Sequence, residues 1–173
     1  MRALATAIRS GDAWSLRSAT YPGELVDLLD LASGRHRVVE LGTGTAWTAI
    51  ALALADERRQ VVSYDPYPPP GRERYLNLVA ADVRARIELE DEPGEDGPPA
   101  GLTPDFLFVD DGHEPRQVIA NFAAWQPALE PSGVVVFHDY ENPAWPGVSE
   151  AISELGLEGE SIGFLFVWRK PPG

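Results

Sequence analysis

Apolar runs of strand length alternate with stretches of helical spacing from Arg37 onward, and this alternation limits the fold more than any other feature. It is typical of βα units wound around a parallel sheet. Strands are predicted at 37–41, 60–64, 86–89, 105–109, 134–137 and 161–168, and helices at 46–54, 72–83, 117–129 and 146–155. The last strand is expected to lie antiparallel at the edge of the sheet, beside a short segment near Leu157. The predicted fold class is therefore α/β, with a Rossmann-like, doubly wound and mostly parallel sheet.

The length of 173 residues suits a single domain, since many domains have about 100 to 200 residues. Residues 1–36 are predicted as an N-terminal helical segment and residues 37–173 as the sheet domain. Residues 90–103 are rich in proline, glycine and acidic residues and have no apolar periodicity, so we predict a mobile connection there. In a parallel sheet of this kind, ligands bind at the carboxyl ends of the strands, near the point where the strand order reverses.

The chain carries a formal charge of −13 and has a pI near 4.5. This charge repels phosphate backbones, so nucleic acid is not expected as a partner. The absence of cysteine excludes disulfides and thiolate metal sites. The apolar runs are too short for a membrane span or a signal sequence, and a cytoplasmic location is expected. A small molecule is the expected partner, and a homo-oligomer stays open because a second chain could supply a lid over the substrate.

A glycine turn, Glu-Leu-Gly-Thr-Gly at 40–44, joins the first predicted strand to its helix. The third glycine of a dinucleotide fingerprint is missing because Trp47 stands in its place, which disfavours a pyrophosphate dinucleotide. Glu40 suits a ligand with an ammonium group, and Asp65 can accept hydrogen bonds from two ribose hydroxyls. Together these residues favour S-adenosylmethionine. The alternative is a glycine-rich βα turn with an incidental acid.

The run at 38–46 resembles the first motif of class I S-adenosylmethionine-dependent methyltransferases, and the resemblance extends over about 21–170. The sequence departs from that motif at Ala46, where a third small residue, often glycine, is common. In this family the glycines pack against the amino acid part of the cofactor, and the acid that ends the second strand holds the ribose. The cofactor residues predicted on these grounds are Glu40, Gly42, Gly44, Asp65 and Asp110.

Two further segments, Val-Asp-Asp-Gly-His at 109–113 and Phe-His-Asp-Tyr at 137–140, resemble small bacterial methyltransferases related to catechol and macrolide-sugar O-methyltransferases. The resemblance implies that Asp110 and Asp139 bind Mg²⁺, with His138 as the third ligand. Carboxylate oxygens are the ligands that Mg²⁺ prefers. Catechol-type relatives generally have a carboxylate at the position of His138. Three alternatives therefore stay open: a different metal, a catalytic base at His138, or no metal.

His113 and His138 follow two predicted strand ends, where an acceptor would lie, and a neutral imidazole can remove a hydroxyl proton. The predicted catalytic residues are therefore His113, His138 and Asp110. Alternatively, each histidine caps a helix or binds a backbone group. Loop aromatics that are candidates for the pocket wall are Tyr67, Tyr140 and Trp145, whereas the aromatics expected to be structural are Trp125 and Trp168.

The predicted function is transfer of a methyl group from S-adenosylmethionine to an oxygen of a small molecule. Methyl transfer is an in-line displacement, so the protein mainly aligns the reactants and removes one proton. Two alternatives stay open because a fold does not determine a reaction. The same fold could perform a hydroxylation, an elimination or a cyclisation, or the chain could be a binding module without catalysis.

Overall fold

A computed structural model describes residues 2–173. Three helices precede the sheet: α1 (Arg2–Ser10), α2 (Ala13–Ser18) and α3 (Pro22–Leu31). The sheet and its helices follow in the order β1 (Arg37–Leu41), α4 (Trp47–Ala55), β2 (Gln60–Tyr64), α5 (Arg72–Leu76), α6 (Ala81–Arg84), β3 (Ile87–Glu90), β4 (Phe106–Val109), α7 (Pro115–Trp125), β5 (Val134–Phe137), α8 (Pro146–Glu154), β6 (Glu160–Ile162) and β7 (Leu165–Arg169). None of the helices within residues 2–173 has the length and apolarity that crossing a membrane requires.

The seven strands form one sheet in the order β3-β2-β1-β4-β5-β7-β6. The first five strands in this order are parallel, and β7 pairs antiparallel with both β5 and β6. This arrangement confirms the predicted Rossmann-like, mostly parallel sheet. The strand order reverses between β1 and β4, where Leu41 pairs with Val109, and Val109 pairs in turn with Phe137. The carboxyl ends of three strands therefore meet at the point where such sheets bind ligands.

Apolar side chains fill both faces of the sheet, because helices cover each face. All residues of β4 and β5 are buried. On one face the strands pack against α3 and α4, and on the other against α7 and α8. This double burial explains why the central strands are continuous apolar runs in the sequence.

The predicted continuous helix over 72–83 is wrong, because α5 and α6 are separate short helices. The backbone N–H of Asn77 caps α5, and its side-chain oxygen accepts a hydrogen bond from Arg84 at 3.1 Å. Ala80 is extended, with ψ of 156°. The chain therefore leaves the helical conformation between Asn77 and Ala80, a break that apolar spacing does not reveal.

The predicted single strand over 161–168 is a hairpin of β6 and β7. Gly163 adopts φ of +57° in its turn, a conformation that costs glycine little, and the chain reverses there. β7 pairs with β5, so the predicted partner segment near Leu157 is wrong. The antiparallel edge of the sheet is thus two strands wide.

The connection at 90–103 contains a 3₁₀ helix, Gly94–Asp96, where sequence reasoning predicts only a mobile segment. Gly94 is buried, and its carbonyl accepts a hydrogen bond from the indole Nε1 of Trp125 at 2.6 Å. A Cβ at Gly94 would lie 3.1 Å from the side chains of Asn121 and Leu41, so a larger residue would require these side chains to shift. One glycine and one tryptophan thus attach this acidic segment to α7.

Candidate functional site

A cavity of about 630 Å³ lies at the carboxyl ends of the central strands. Its walls are the glycine turn after β1, the loops after β2, β4 and β5, and α2 with the segment that follows it. Most of the predicted site residues line this one cavity: Gly42, Gly44, Asp65, Asp110, His113, His138 and Asp139. Glu40 is the predicted residue that does not line it.

The glycine turn has left-handed backbone conformations at alternate positions. The φ angles are +102° at Gly42, +49° at Gly44 and +65° at Ala46. A Cβ at Gly42 would lie 2.3 Å from the carbonyl oxygen of Asp110, so this glycine permits the close approach of the two strand ends. Ala46, where the resembling family often has glycine, adopts a left-handed conformation despite its side chain.

Asp65 fixes the glycine turn from the end of β2. Its Oδ2 accepts hydrogen bonds from the backbone N–H of Gly44 at 2.9 Å and from Arg72 Nη2 at 3.1 Å. Its Oδ1 accepts one from the N–H of Tyr67 at 2.9 Å. Arg72 also donates from Nε to the carbonyl of Gly44 at 3.0 Å. The carboxylate and the turn therefore form one rigid wall.

Glu40 lies behind the turn, where it is 1% exposed. The hydroxyl of Ser63 donates a hydrogen bond to its Oε2, and the hydroxyls of Ser63 and Thr43 are 2.6 Å apart. Burial raises the pKa of Glu40 to about 8, although the hydrogen bond from Ser63 opposes the shift. The side chain is therefore largely neutral near pH 7, and its contact with an ammonium group stays a prediction.

Four predicted residues from the ends of β4 and β5 meet on one side of the cavity. His113 Nε2 lies 2.8 Å from Asp139 Oδ2. His138 Nδ1 lies 3.0 Å from Asp110 Oδ1 and 3.3 Å from Asp139 Oδ2. We call these four residues the acid–histidine cluster. Neighbouring parallel strands bring them together because their carboxyl ends share one edge of the sheet.

His138 is enclosed by carboxylates on both sides, since its Nε2 lies 3.2 Å from Glu24 Oε2. Burial opposes the charged imidazole, but Asp110 and Asp139 outweigh burial and raise the pKa of His138 to about 11. Burial likewise opposes the charge of Asp139, but hydrogen bonds from His113 and His138 hold its pKa below its usual range. His138 Nε2 is thus hydrogen-bonded to Glu24, and its Nδ1 lies within ion-pair distance of two carboxylates.

Asp139 has a left-handed backbone, with φ of +60°. Asn142 Nδ2 donates a hydrogen bond to Asp139 Oδ1 at 2.6 Å, so the loop after β5 holds the side chain in place. Such conformations are costly for residues other than glycine and often occur at functional sites. The conformation is therefore consistent with a role for Asp139 in binding or chemistry.

Three members of the cluster could hold a cation. Asp110, His113 and Asp139 each offer one ligand atom, and these atoms all lie within 4.8 Å of one another. This grouping contains His113, whereas the resemblance implies His138. Two carboxylates and one imidazole form a donor set that divalent cations bind, with water completing the shell.

The three aromatic residues that are candidates for the pocket wall have different surroundings. Trp145 lines the cavity and stacks on His113, with ring centroids 4.1 Å apart. Tyr67 is 87% exposed, and Tyr140 packs on Phe166 with ring centroids 4.9 Å apart. Of the three pocket candidates, only Trp145 lines this cavity.

The predicted structural tryptophans lie in the apolar packing. Trp125 is fully buried and packs edge-on against Tyr64. Trp168 packs edge-on against Phe122.

The residues of the site that sequence reasoning missed include Glu24, Trp14 and Asn142. Glu24 accepts a hydrogen bond from the backbone N–H of Tyr21 at 3.1 Å, at the start of α3. An acid three residues after a helix boundary predicts a cap, so the sequence offers a structural explanation for Glu24 and no functional one. The other two residues lie in segments whose path the sequence does not reveal.

A doubly wound sheet with a glycine turn at its switch point and an acid ending β2 defines a nucleoside-cofactor-binding α/β protein. The family model described as a methyltransferase domain matches residues 39–140, which is more than half of the chain. The chain belongs to this methyltransferase family. No curated protein matches it.

Solved structures with similar folds include Rv0187 from MTB in a cofactor-bound form, which is 22% identical, with a TM-score of 0.75 over 98% of this chain and 89% of that one. The O-methyltransferase TomG from Streptomyces achromogenes, involved in tomaymycin synthesis and solved with S-adenosylmethionine, is 19% identical, with a TM-score of 0.68 over 90% and 82%. CalS11, the TDP-rhamnose 3′-O-methyltransferase of calicheamicin biosynthesis, is 17% identical, with a TM-score of 0.67 over 85% and 78%. At these sequence identities, the similarity to the solved structures shows the fold alone.

Proposed function

We propose that this methyltransferase transfers the methyl group of S-adenosylmethionine to an oxygen of a small-molecule acceptor. The observation that carries the proposal is the position of the acid–histidine cluster in the same cavity as the glycine turn and Asp65. One side of the cavity offers groups for a nucleoside, and the other offers groups that hold or deprotonate a hydroxyl.

The cavity fits the cofactor in size and chemistry. Its volume of about 630 Å³ falls within the range of about 300–1,000 Å³ that small-molecule sites have. Asp65 would accept hydrogen bonds from the ribose, and the turn at Gly42 and Gly44 would lie against the amino acid part. When bound, the cofactor supplies an electrophilic methyl group on a sulfonium, so the chain has to align the acceptor and remove one proton.

The cluster also fits a divalent cation, with a revised set of ligands. Asp110, Asp139 and His113 would hold it, because their ligand atoms lie within 4.8 Å of one another. His138 is the weaker candidate, since acids already face both of its ring nitrogens. When bound, a cation of this kind acidifies and orients a hydroxyl of the acceptor.

The chain's own residues offer a second route for the proton. Asp139 faces Nε2 of His113 at 2.8 Å, which favours the tautomer with hydrogen on that nitrogen and leaves Nδ1 free to accept a proton. Trp145 stacks on the same ring and holds its plane. His113 is thus either a ligand or the base, and a chelator distinguishes the two roles.

The decisive assay measures release of S-adenosylhomocysteine from S-adenosylmethionine over a panel of phenols, catechols and sugar hydroxyls. The panel follows the proposed class of acceptor and includes a TDP-sugar because CalS11 is a TDP-rhamnose methyltransferase. We expect turnover with at least one acceptor and a methyl ether as the product. Cofactor binding without turnover would favour a binding module, and a changed acceptor without S-adenosylhomocysteine would favour a different reaction.

The variant Asp139→Asn separates catalysis from cofactor binding. It should lose at least about 100-fold in turnover, within the range expected for a group that assists proton removal, and keep its S-adenosylmethionine affinity. The matched control is Glu141→Gln, an exposed acid two positions away. Full activity of Asp139→Asn in the presence of a chelator would mean that the cluster is structural.

A further inference from the structure

Helix α2 forms one wall of the cavity, although nothing in its sequence marks it as part of a site. Trp14 lines the cavity from α2. A Cβ built on Gly44 would lie 2.9 Å from Cη2 of Trp14, so the indole ring lies directly against the glycine turn. The surface that we assign to the cofactor therefore has a side chain of the N-terminal segment beside it.

Four polar side chains attach α2 to the body of the protein, and we call them the α2 latch: Asp12, Ser15, Thr45 and Tyr75. Asp12 Oδ2 accepts hydrogen bonds from Tyr75 Oη at 2.5 Å and from Ser15 Oγ at 2.8 Å. The hydroxyls of Ser15 and Thr45 are 3.1 Å apart. Ser15 is fully buried, although it belongs to a helix of 6 residues.

The latch connects α2 to both sides of the cofactor turn. Thr45 follows Gly44 directly, and Tyr75 belongs to α5, whose first residue, Arg72, binds Asp65. Hydrogen bonds to a charged group are stronger than those between neutral groups. The carboxylate of Asp12 is therefore the centre of the attachment.

Trp47 connects the latch to the wall of the cavity. It lines the cavity and packs edge-on against Tyr75, with ring centroids 5.3 Å apart. The ring of Tyr75 thus supports the cavity wall at Trp47, while its hydroxyl holds Asp12.

We propose that the α2 latch positions Trp14 as a wall of the cofactor site. Asp12, Ser15 and Tyr75 are positioning residues in this scheme, because they act through the place of α2. The latch then slows the release of S-adenosylmethionine and S-adenosylhomocysteine. This inference rests on the proposed function.

Stopped-flow measurement of S-adenosylhomocysteine dissociation tests the positioning role. Tyr75→Phe removes the hydroxyl that binds Asp12 and keeps the ring that packs on Trp47. We expect its dissociation rate to rise about tenfold, the equivalent of one hydrogen bond to a charged group, with little change in the association rate. Ser15→Ala should act in the same direction. The control is Tyr67→Phe, which changes an exposed tyrosine on a neighbouring loop.

Melting temperatures of the free proteins separate positioning from simple stabilisation. A latch variant that melts lower but releases S-adenosylhomocysteine at the wild-type rate would overturn the positioning role. If the wild type bound neither form of the cofactor, the proposed function itself would fail, a result distinct from normal binding with an unchanged release rate.

Discussion

Glu40→Gln should change how stability depends on pH. Glu40 is 1% exposed, and burial raises its pKa from 4.5 to about 8. The hydrogen bond from Ser63 lowers this pKa, whereas the negative charge of Asp110 raises it further. Because the folded pKa is the higher one, the native state binds more protons than the unfolded state between these two values. The contribution of protonated Glu40 to the free energy of unfolding is therefore fully present below pH 4.5 and is lost as the pH rises towards 8.

The size of the effect follows from the proton count. One proton corresponds to ~1.4 kcal/mol per pH unit, so between about pH 5.5 and about pH 7.5 the wild type should lose about 2–3 kcal/mol relative to Glu40→Gln. Urea denaturation of the cofactor-free proteins at several pH values measures this difference, with the exposed Glu141→Gln as the control. Parallel stability curves for the wild type and Glu40→Gln would refute the argument, since Glu40 would then be ionised in the folded protein.

Three further predictions concern the turn, the connection at 90–103 and the cluster. Gly42→Ala should lower the free energy of unfolding by about 2 kcal/mol or more, because its Cβ would meet the carbonyl of Asp110; an unchanged melting temperature would contradict this. Trp125→Phe should lose about 1 kcal/mol and speed hydrogen exchange around Gly94, whose carbonyl would lose its donor; unchanged exchange would contradict the attachment. In a chelator titration, wild-type activity should fall and return with Mg²⁺ or Mn²⁺, while Asp139→Asn should stay inactive throughout; activity insensitive to chelation would favour the metal-free base.

The parallel sheet could be predicted because burial on both faces leaves continuous apolar runs such as 106–109 and 134–137. Local breaks in the backbone account for the elements that were predicted wrongly. Asn77 ends a helix that apolar spacing would continue, and Gly163 reverses a run that reads as one strand. The connection at 90–103 depends on a contact between Gly94 and a distant tryptophan, which no local pattern encodes.

The location of the candidate site could also be predicted, since parallel strands bring the residues after their carboxyl ends to one edge. Which side chains of the acid–histidine cluster contact one another could not be predicted, because this depends on the direction of each side chain. Asp139 faces His113 at 2.8 Å, and His138 is enclosed between the carboxylates of Glu24 and Asp110. Glu24 belongs to a helix more than a hundred residues away in sequence, so neither its approach nor that of α2 could be derived from spacing.

The central claim is that this cavity binds S-adenosylmethionine through the glycine turn and Asp65. Calorimetric titration of the wild type, of Asp65→Ala and of Asp91→Ala tests it most directly. Asp91→Ala is the control because Asp91 is an exposed partner of the same Arg72. We predict that S-adenosylmethionine binds the wild type and Asp91→Ala alike and binds Asp65→Ala at least about tenfold more weakly, as the loss of a charged hydrogen-bond acceptor requires. Tight binding of NAD⁺ with no binding of S-adenosylmethionine would contradict the claim.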